Sequence, residues 1–311
     1  MNDIRLPEFS VQQVFGALSE TRDWGLIQNN IPNAWKTTQG EGIVVFVLDT
    51  AGFTDHIDLK DNFITGKNCS RSLTPDDKHG HSTHCVGTIA ASSNGIGVIG
   101  MAPKTRFVLV KVLEDNGSAT EFTVADGLKF CYECKTSPTC QYKPDIISMS
   151  LGSNRDMLLV HDWIKKLYAL NVPVICAAGN SGQEGVSYPA KYPETIAVAA
   201  YDKDGNIANF STFGDEVDFA APGVDIYSTW LNGSYSLCSG SSMAAPFIAG
   251  MIALLLSKHQ KQESVTGKND CKTVEQIREH LKKYALDQGD VGKDKKWGYG
   301  KIDVGNLISA E

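Results

Sequence analysis

Residues 42–50 read GIVVFVLDT, and they say the most about the architecture of this protein. Six consecutive apolar residues, four of them β-branched, follow a glycine and end at Asp49. A continuous apolar run of this length is typical of a parallel strand that is buried on both of its faces. The stretch therefore predicts a central strand of a parallel sheet, with Asp49 at the carboxyl end of that strand.

Similar apolar runs recur along the chain and alternate with helical patterns. The further strand-like runs are residues 107–112, 145–150, 172–177 and 195–200. Apolar residues follow the i, i+3, i+4 spacing of a helix at residues 159–167 and at residues 274–284, where Thr273 and Gln276 predict a capping box. Strands that alternate with helices predict one α/β domain with a largely parallel central sheet and helices on both faces. Residues 258–272 are polar and predict an exposed connection before the last helix.

The composition is ordinary for a globular enzyme and argues against two classes of partner. The chain has 311 residues and a formal net charge of −7, and an acidic chain repels phosphate backbones, so we expect no nucleic-acid partner. The longest apolar run, residues 243–256, contains Pro246 and Gly250 and is too short to cross a bilayer. Residues 1–9 lack the apolar core of a secretory signal. We therefore expect a cytoplasmic protein without membrane contact, or a secreted one if a signal has been removed.

Four short segments carry groups that could do chemistry at the carboxyl edge of such a sheet. Asp49 ends the first strand, and Asn180 follows another. His81 lies in a histidine-rich segment, and Ser242 would begin a helix. Each residue alone has an ordinary explanation, as a turn residue, a helix cap or, for Ser242, an N-cap serine. Three histidines fall within residues 79–84, but they lack the HExxH pattern of a zinc site.

Together and in this order, these segments resemble the motifs of the subtilisin family of serine proteases, most like the intracellular subtilisins. The matching motifs are VLDT (47–50), HGHSTHCVGT (79–88), SMSLG (148–152), AAGN (177–180), GSSMAAP (240–246) and GYGKID (298–303). The resemblance covers residues 19–310, and Asp, His, Ser is the subtilisin order. Ala51, Ser82 and Ser241 stand where the family usually has Gly, Gly and Thr. These small-for-small changes leave the triad intact.

The resemblance implies a serine endopeptidase that hydrolyses protein or peptide substrates through an acyl-enzyme. Ser242 would be the nucleophile and His81 its general base, while Asp49 would hold the histidine tautomer and stabilise the imidazolium. Asn180 and the backbone N–H of Ser242 would form the oxyanion hole. One such donor is typically worth about 2.7–4 kcal/mol of barrier.

The resemblance also implies how an extended peptide would bind. Two strand edges would pair with it by β-augmentation, and they comprise Gly117, Ser118, Ser150, Leu151 and Gly152. Ala177, Ala178 and Gly179 would wall the pocket for the side chain that precedes the scissile bond. Small walls imply a roomy, apolar pocket and a preference for large hydrophobic residues. Ser187, near the floor, would make the pocket shallower.

A structural calcium ion is implied as well, by the sequence SNGIGVIG at residues 93–100. In the family, backbone carbonyls and an asparagine of this loop bind Ca²⁺ together with an aspartate. The matching residues here are Asn94, Ile96, Val98 and Asp58. Oxygen-only ligation suits this ion. The alternative is a solvated turn that holds no ion.

Residues 1–18 look like an arm that precedes a catalytic domain at residues 19–311. The sequence IRLPEF at residues 4–9 resembles the short inhibitory arm of intracellular subtilisins. Pro7 would kink the bound strand and misplace the adjacent peptide bond, so that the arm binds without being cut. We therefore expect an intramolecular inhibitor that is removed by cleavage near residues 16–20. The alternative is a disordered tail.

Several alternatives stay open at this stage. Cys131, Cys134 and Cys140 form the one cluster among eight cysteines, and they could hold zinc with a fourth ligand or be free or paired thiols. A catalytically silent binding module of the same fold is disfavoured by the intact triad. A nucleotide-binding protein is disfavoured because no strand is followed by GxGxxG or a P-loop. The choice between a processing and a degradative protease stays open, as does a homodimer.

Overall fold

The structure, a computed structural model, describes residues 4–16 and 19–309. Its strands are β1 (Ile4–Arg5), β2 (Ser10–Phe15), β3 (Val44–Asp49), β4 (Phe63–Asn68), β5 (Arg106–Lys111), β6 (Ser118–Ala119), β7 (Ile146–Met149), β8 (Val174–Ala177), β9 (Thr195–Tyr201), β10 (Phe219–Pro222), β11 (Ile226–Thr229), β12 (Tyr235–Ser239), β13 (Ala285–Leu286) and β14 (Lys301–Ile302). Its helices are α1 (Trp24–Gln28), α2 (Ile31–Ala34), α3 (His81–Ala90), α4 (Glu121–Thr136), α5 (Leu158–Ala169), α6 (Ser241–Thr266), α7 (Val274–Lys283) and α8 (Val304–Ser309).

Nine strands form the central sheet, in the order β13-β14-β10-β9-β8-β7-β3-β5-β4. The neighbours in this sheet are parallel except for β13 and β14. β3 lies between β7 and β5, as the sequence of residues 42–50 predicts. The other four predicted strands are present as β5, β7, β8 and β9, with ends that differ by one or two residues. The carboxyl ends of β3, β7 and β8 therefore meet at one edge.

The side chains of β3 alternate between two hydrophobic cores, one on each face of the sheet. Val45 and Val47 belong to a core that includes residues of α3 and α6. Phe46 and Leu48 belong to a second core that includes residues of α4 and α5. This arrangement confirms the predicted α/β fold with a largely parallel sheet and helices on both faces.

Helix α6 is longer than the apolar run from which it is predicted. It continues to Thr266, so the first half of residues 258–272 is helical and not the predicted connection, although most of these residues are exposed. By length and composition α6 is apolar enough to cross a membrane, but 89% of its most apolar window is buried inside the protein. A helix that is apolar on every side and covered by protein is a core helix.

The described N-terminal residues, 4–16, are called the arm below, and they add strands to two smaller sheets. β1 pairs with β6, and β2 pairs with β12, both antiparallel. β12 leads directly into α6, which begins at Ser241. Residues 17–18, where the predicted boundary between arm and catalytic domain falls, lie outside the described residues.

Candidate active site

Asp49 and His81 form a buried pair at the carboxyl edge of the sheet. The two carboxylate oxygens lie 2.9 and 3.0 Å from His81 Nδ1, and both side chains are fully buried. Asp49 is the last residue of β3 and His81 the first of α3, so two regular elements fix their separation. A carboxylate on Nδ1 holds the proton on that nitrogen and leaves the lone pair on Nε2.

The protonation of the histidines follows from their different surroundings. Burial would lower the pKa of His81, but the Asp49 carboxylate stabilises the protonated ring and raises this pKa well above its ordinary value. Burial lowers the pKa of His84 to about 4. Its Nε2 contacts the backbone carbonyls of Ile226 and Ser236, at 2.9 and 3.2 Å. His84 is therefore a neutral packing residue, and its role differs from that of His81.

Asp77 organises the loop in front of α3, and sequence reasoning missed it. Its buried carboxylate accepts hydrogen bonds from four residues, which are Thr50, His79, Gly80 and Thr83. These bonds join the residue after Asp49 to the first turn of the helix that begins with His81. An aspartate shortly before a helix start is a capping signal, and that signal could have indicated this role.

Ser242 is the second residue of α6. Pro246, one turn further along the helix, determines which groups bond to the Ser242 carbonyl. Because proline has no N–H, the Ser242 carbonyl lacks its usual partner within the helix. That carbonyl accepts the Ser150 hydroxyl at 3.0 Å and the Cys85 thiol at 3.3 Å instead. The start of α6 is thereby connected to the end of β7 and to α3.

The two atoms that would exchange a proton are buried and unpartnered. Neither Ser242 Oγ nor His81 Nε2 has a hydrogen-bond partner among the described residues, so no hydrogen bond joins these two atoms in this structure. Phe9 of the arm lies at this point, with its ring centroid 4.8 Å from that of His81 in an edge-on contact. A Cβ on Gly240 would approach the Phe9 Cβ to 3.1 Å. Catalytic hydrogen bonds often form only in the substrate complex.

Asn180 follows β8 and lies beside the start of α6. Its Oδ1 accepts a hydrogen bond from the Ser241 N–H at 2.8 Å, which turns Nδ2 away from the helix. Nδ2 donates to the backbone carbonyl of Glu8 in the arm, at 2.6 Å. Asn180 thus presents an amide donor to a peptide carbonyl beside the start of α6.

Comparison with known proteins agrees with this arrangement. The sequence profile of the subtilase family matches residues 40–300, which contain Asp49, His81, Asn180 and Ser242. This chain belongs to the subtilase family. It is a serine protease that acts on protein or peptide substrates.

Named relatives include both intracellular and extracellular subtilases. The intracellular serine protease of Paenibacillus polymyxa is 41% identical over 72% of this chain and 69% of its own length. The major intracellular serine protease of Bacillus subtilis (strain 168) is 38% identical over 74% of this chain and 73% of its own. The minor extracellular protease Epr of the same organism is 36% identical over 90% of this chain but only 40% of its own length.

In this subtilase the arm occupies both predicted substrate edges. Arg5 exchanges two backbone hydrogen bonds with Gly152, at 3.0 and 2.9 Å, and the Leu6 N–H donates to the Gly117 carbonyl at 3.1 Å. β1 pairs with β6, which contains the predicted edge residue Ser118. Leu151 is buried next to Gly152. The start of the arm is thus a middle strand, antiparallel to β6 on one side and to the segment at Gly152 on the other.

A cavity of ≈ 370 Å³ lies between the arm and the edge after β8. Two of the predicted pocket residues, Gly179 and Ser187, line it, whereas Ala177 and Ala178 are buried in the core and do not line it. A Cβ on Gly179 would meet the hydroxyl oxygens of Thr212 and Ser187 at 2.8 and 3.1 Å. The cavity therefore carries the hydroxyl group of Ser187, which the sequence analysis placed near the pocket floor, and that of Thr212, which it did not consider.

The predicted calcium ligands lie together around Asp58. Its fully buried carboxylate accepts hydrogen bonds from the Asn94 amide at 2.8 Å and the Val98 N–H at 3.0 Å. Asn94 Oδ1 accepts the Ile96 N–H at 2.9 Å. These residues offer carboxylate, amide and carbonyl oxygens, the kinds of ligand that Ca²⁺ takes. Asn94 turns its amide nitrogen toward Asp58, so ligation by Oδ1 requires that amide to rotate.

All eight cysteines of this subtilase are free thiols in the structure. Cys131 and Cys134 are buried on α4, and the Cys140 thiol donates to the Tyr142 carbonyl at 2.8 Å. Among the described residues, the groups of three or more close metal-ligating atoms do not include this cluster. The three thiols of the cluster are therefore unpaired in this structure.

Proposed function

We propose that this subtilase is an endopeptidase whose catalytic triad is Asp49, His81 and Ser242. The observation that carries the proposal is the fully buried Asp49–His81 pair, which leaves Nε2 of His81 as the free base. Ser242 Oγ attacks the carbonyl carbon of the substrate while His81 Nε2 takes its proton. Asp49 stabilises the imidazolium that results.

The rest of the cycle uses the same groups. The carbonyl electron pair moves to oxygen, where Asn180 Nδ2 and the Ser242 N–H stabilise the negative charge. His81 returns the proton to the leaving amine, and an acyl group remains on Ser242. After the amine leaves, a water molecule attacks the acyl group, with His81 again as the base. His81 then returns the proton to Ser242 Oγ, and the carboxylic acid product is released.

Hydrolysis of a heat-denatured protein tests this assignment. A chain that begins at Ser19 should produce peptides from it, and the Ser242→Ala variant of that chain should produce none above background. Peptide release by the Ser242→Ala variant at the parent rate would contradict the triad.

The second part of the proposal is that the arm inhibits the enzyme. Arg5 pairs with Gly152 in an antiparallel register, which sets Pro7 opposite Ser150. Pro7 has no N–H to donate at that position, so the substrate-like ladder stops there. The backbone carbonyl that accepts a hydrogen bond from the Asn180 amide is that of Glu8, one residue after Pro7, where the ladder stops. This one-residue offset between the end of the ladder and the carbonyl on Asn180 supports an arm that binds like a substrate and resists cleavage.

The contacts of Glu20 support cleavage before Ser19. Its carboxylate accepts the N–H groups of Asn94 and Gly95, at 3.0 and 3.1 Å, and its own N–H donates to the Gly95 carbonyl at 3.2 Å. These bonds fix the chain from residue 19 onward on the proposed calcium loop. We therefore assign the mature catalytic domain to residues 19–311 and the removable segment, which includes the arm, to residues 1–18.

We further propose a broad specificity with a preference for large hydrophobic residues before the scissile bond. Gly152 and Gly179 leave room for such a side chain, while the hydroxyl groups of Ser187 and Thr212 limit its depth. A cytoplasmic location is proposed from the likeness to the intracellular serine proteases of two bacteria. Fractionation of cells that produce the full chain tests the location, and export to the medium would contradict it.

Calcium at Asp58, Asn94, Ile96 and Val98 completes the proposal. A fully buried carboxylate whose donors are an amide and a backbone N–H gains from a cation, since its negative charge is otherwise desolvated. The ion would tie the loop at residues 93–100 to the segment that contains Asp58 and would stabilise the domain.

A further inference from the structure

Three possible metal ligands meet at the end of α6 that is remote from Ser242. His259 lies on α6, His280 on α7, and Cys271 on the connection between them. One ligand atom from each residue lies within 4.8 Å of the other two. His259 is 17 residues along the helix from Ser242, or about 25 Å at the rise of an α-helix. The group is therefore separate from the active site.

Asp270 is outside that group of three, but its carboxylate lies close to both histidines. Its Oδ1 lies 2.9 Å from His259 Nδ1 and 3.6 Å from His280 Nε2. Adjacent ligand atoms of a tetrahedral zinc ion, with bonds of about 2.0–2.1 Å to nitrogen and oxygen, lie about 3.3 Å apart. The two measured distances fall on either side of that value. The Asp270 side chain is 74% exposed, so an ion can enter from the solvent.

His259 shows that the group is incomplete without an additional partner. It is only 4% exposed, and neither of its ring nitrogens has a hydrogen-bond partner among the described residues. Asp270 Oδ1 is close to Nδ1 but is not aligned with it as a hydrogen bond. A buried polar atom without a partner costs free energy, and proteins rarely leave one unexplained. A metal ion would use the lone pair that the ring directs into the group.

We propose that this subtilase binds a zinc ion between α6 and α7, with His259, Asp270, Cys271 and His280 as ligands. Two imidazole nitrogens, one sulfur and one carboxylate oxygen match the ligands that zinc prefers, and calcium takes oxygen only. The Cys271 thiol loses its proton to solvent as the sulfur–zinc bond forms, and no oxidation or reduction occurs. The ligand atoms of His259, Cys271 and His280 lie within 4.8 Å of one another, so side-chain shifts must bring them to zinc-bonding distance.

The four protein ligands fill the coordination sphere and leave no position for a substrate. The site is therefore structural, as closed four-ligand zinc sites are. It joins the C-terminal part of α6 to α7 through the connection that contains Asp270 and Cys271. Because α6 also carries Ser242 at its other end, the ion stabilises the helix on which the proposed nucleophile lies.

Cobalt substitution tests the proposal with a spectrum instead of activity. The full chain, with Ser242→Ala to prevent self-digestion and without a histidine tag, is freed of metal and titrated with Co²⁺. We expect one equivalent to bind, with the visible bands of tetrahedral cobalt and a near-ultraviolet band from the thiolate. Zn²⁺ should displace the cobalt and abolish both bands.

Variants show whether the proposed ligands are responsible. Cys271→Ser should abolish the thiolate band and weaken Zn²⁺ binding by more than the roughly 10–100-fold typical of a lost second-shell contact. His280→Ala, at a half-buried position, serves the same purpose if Cys271→Ser does not fold. Cys140→Ser and Cys85→Ser are matched controls, one in the α4 cluster and one beside His81, and both should retain the band.

Two results would overturn the zinc site. One is the absence of a thiolate band in the full chain, which would mean that Asp270 is simply shared between two histidines. The other is a band that survives Cys271→Ser and disappears in Cys140→Ser or Cys85→Ser, which would place the ion elsewhere.

Discussion

The contact between Asp49 and His81 predicts the pH dependence of the enzyme. His81 acts as a base only when it is neutral, and its raised pKa therefore shifts the acid limb of kcat/KM to higher pH than an ordinary histidine would give. Asp49→Asn removes the carboxylate charge, so the pKa of His81 falls and the acid limb moves to lower pH. The same change should reduce kcat by about 10⁴-fold, because the histidine tautomer is no longer fixed.

The measurement is the pH profile of kcat/KM for the chain that begins at Ser19, with and without Asp49→Asn. An acid limb that stays in place in the variant would show that Asp49 does not set the pKa of His81.

The size of the substrate pocket depends on single hydroxyl groups. Ser187→Gly removes one of the two hydroxyls near Gly179 and deepens the cavity. We expect kcat/KM for a peptide with Phe before the scissile bond to rise by about 10-fold relative to one with Ala, the scale of a small change in pocket volume. Asn154→Ala, at the exposed rim of the same cavity, is the matched control and should leave the ratio unchanged. A constant ratio in Ser187→Gly would remove this residue from the pocket.

Among the elements, the arm offers the sharpest test, because one residue interrupts its pairing. Pro7→Ala restores an N–H opposite Ser150 and lets the antiparallel ladder continue toward the scissile position. We expect the arm of this variant to be cleaved during an incubation in which the arm of the parent chain stays intact. Mass spectrometry of the intact chains follows the cleavage. Gln13→Ala on β2 is the control, since it leaves the register from Arg5 to Glu8 unchanged. Equal lifetimes of the Pro7→Ala and parent arms would contradict the role of Pro7.

The strands of the sheet were predictable from the sequence, because the burial of each strand is visible in its own residues. A strand buried on both faces is a continuous apolar run, and the carboxyl ends of parallel strands meet. Asp49, Asn180 and the segment before Gly152 could therefore be assigned to one edge. The course of the arm beyond residue 9 could not be predicted, because the outward side chains of β2 are exposed and show no burial pattern.

Contacts between distant segments also escaped the sequence analysis. The polar residues after Lys258 gave no sign that α6 continues, since most of them are exposed and show no apolar helical spacing. His259 is buried in a stretch that reads as exposed. Asp77 was missed because one of its hydrogen bonds goes to Thr50, which is distant in sequence, and because its position before α3 was not examined as a capping signal. The hydroxyl-lined pocket was missed because Thr212 comes from a loop that no matching motif includes.

At the scale of the whole molecule, we expect calcium to raise thermal stability. A ligand at 100 times its Kd adds about 2.7 kcal/mol, which corresponds to about 4 °C in Tm for a chain of this length. Thermal unfolding of the Ser242→Ala chain should show this increase with Ca²⁺ over EGTA. Asp58→Asn should abolish it, while Asp61→Asn, an exposed neighbour, should retain it. A calcium-dependent shift that persists in Asp58→Asn would place the ion elsewhere.

The central claim is that Ser242 is the nucleophile and that the arm covers it. Labelling with a fluorophosphonate probe, followed by mass spectrometry of the modified peptide, tests both parts in the full chain and in the chain that begins at Ser19. The account predicts a label on Ser242 that is stronger in the shorter chain and absent in Ser242→Ala. A label on another residue, or no label on either folded chain, would contradict it.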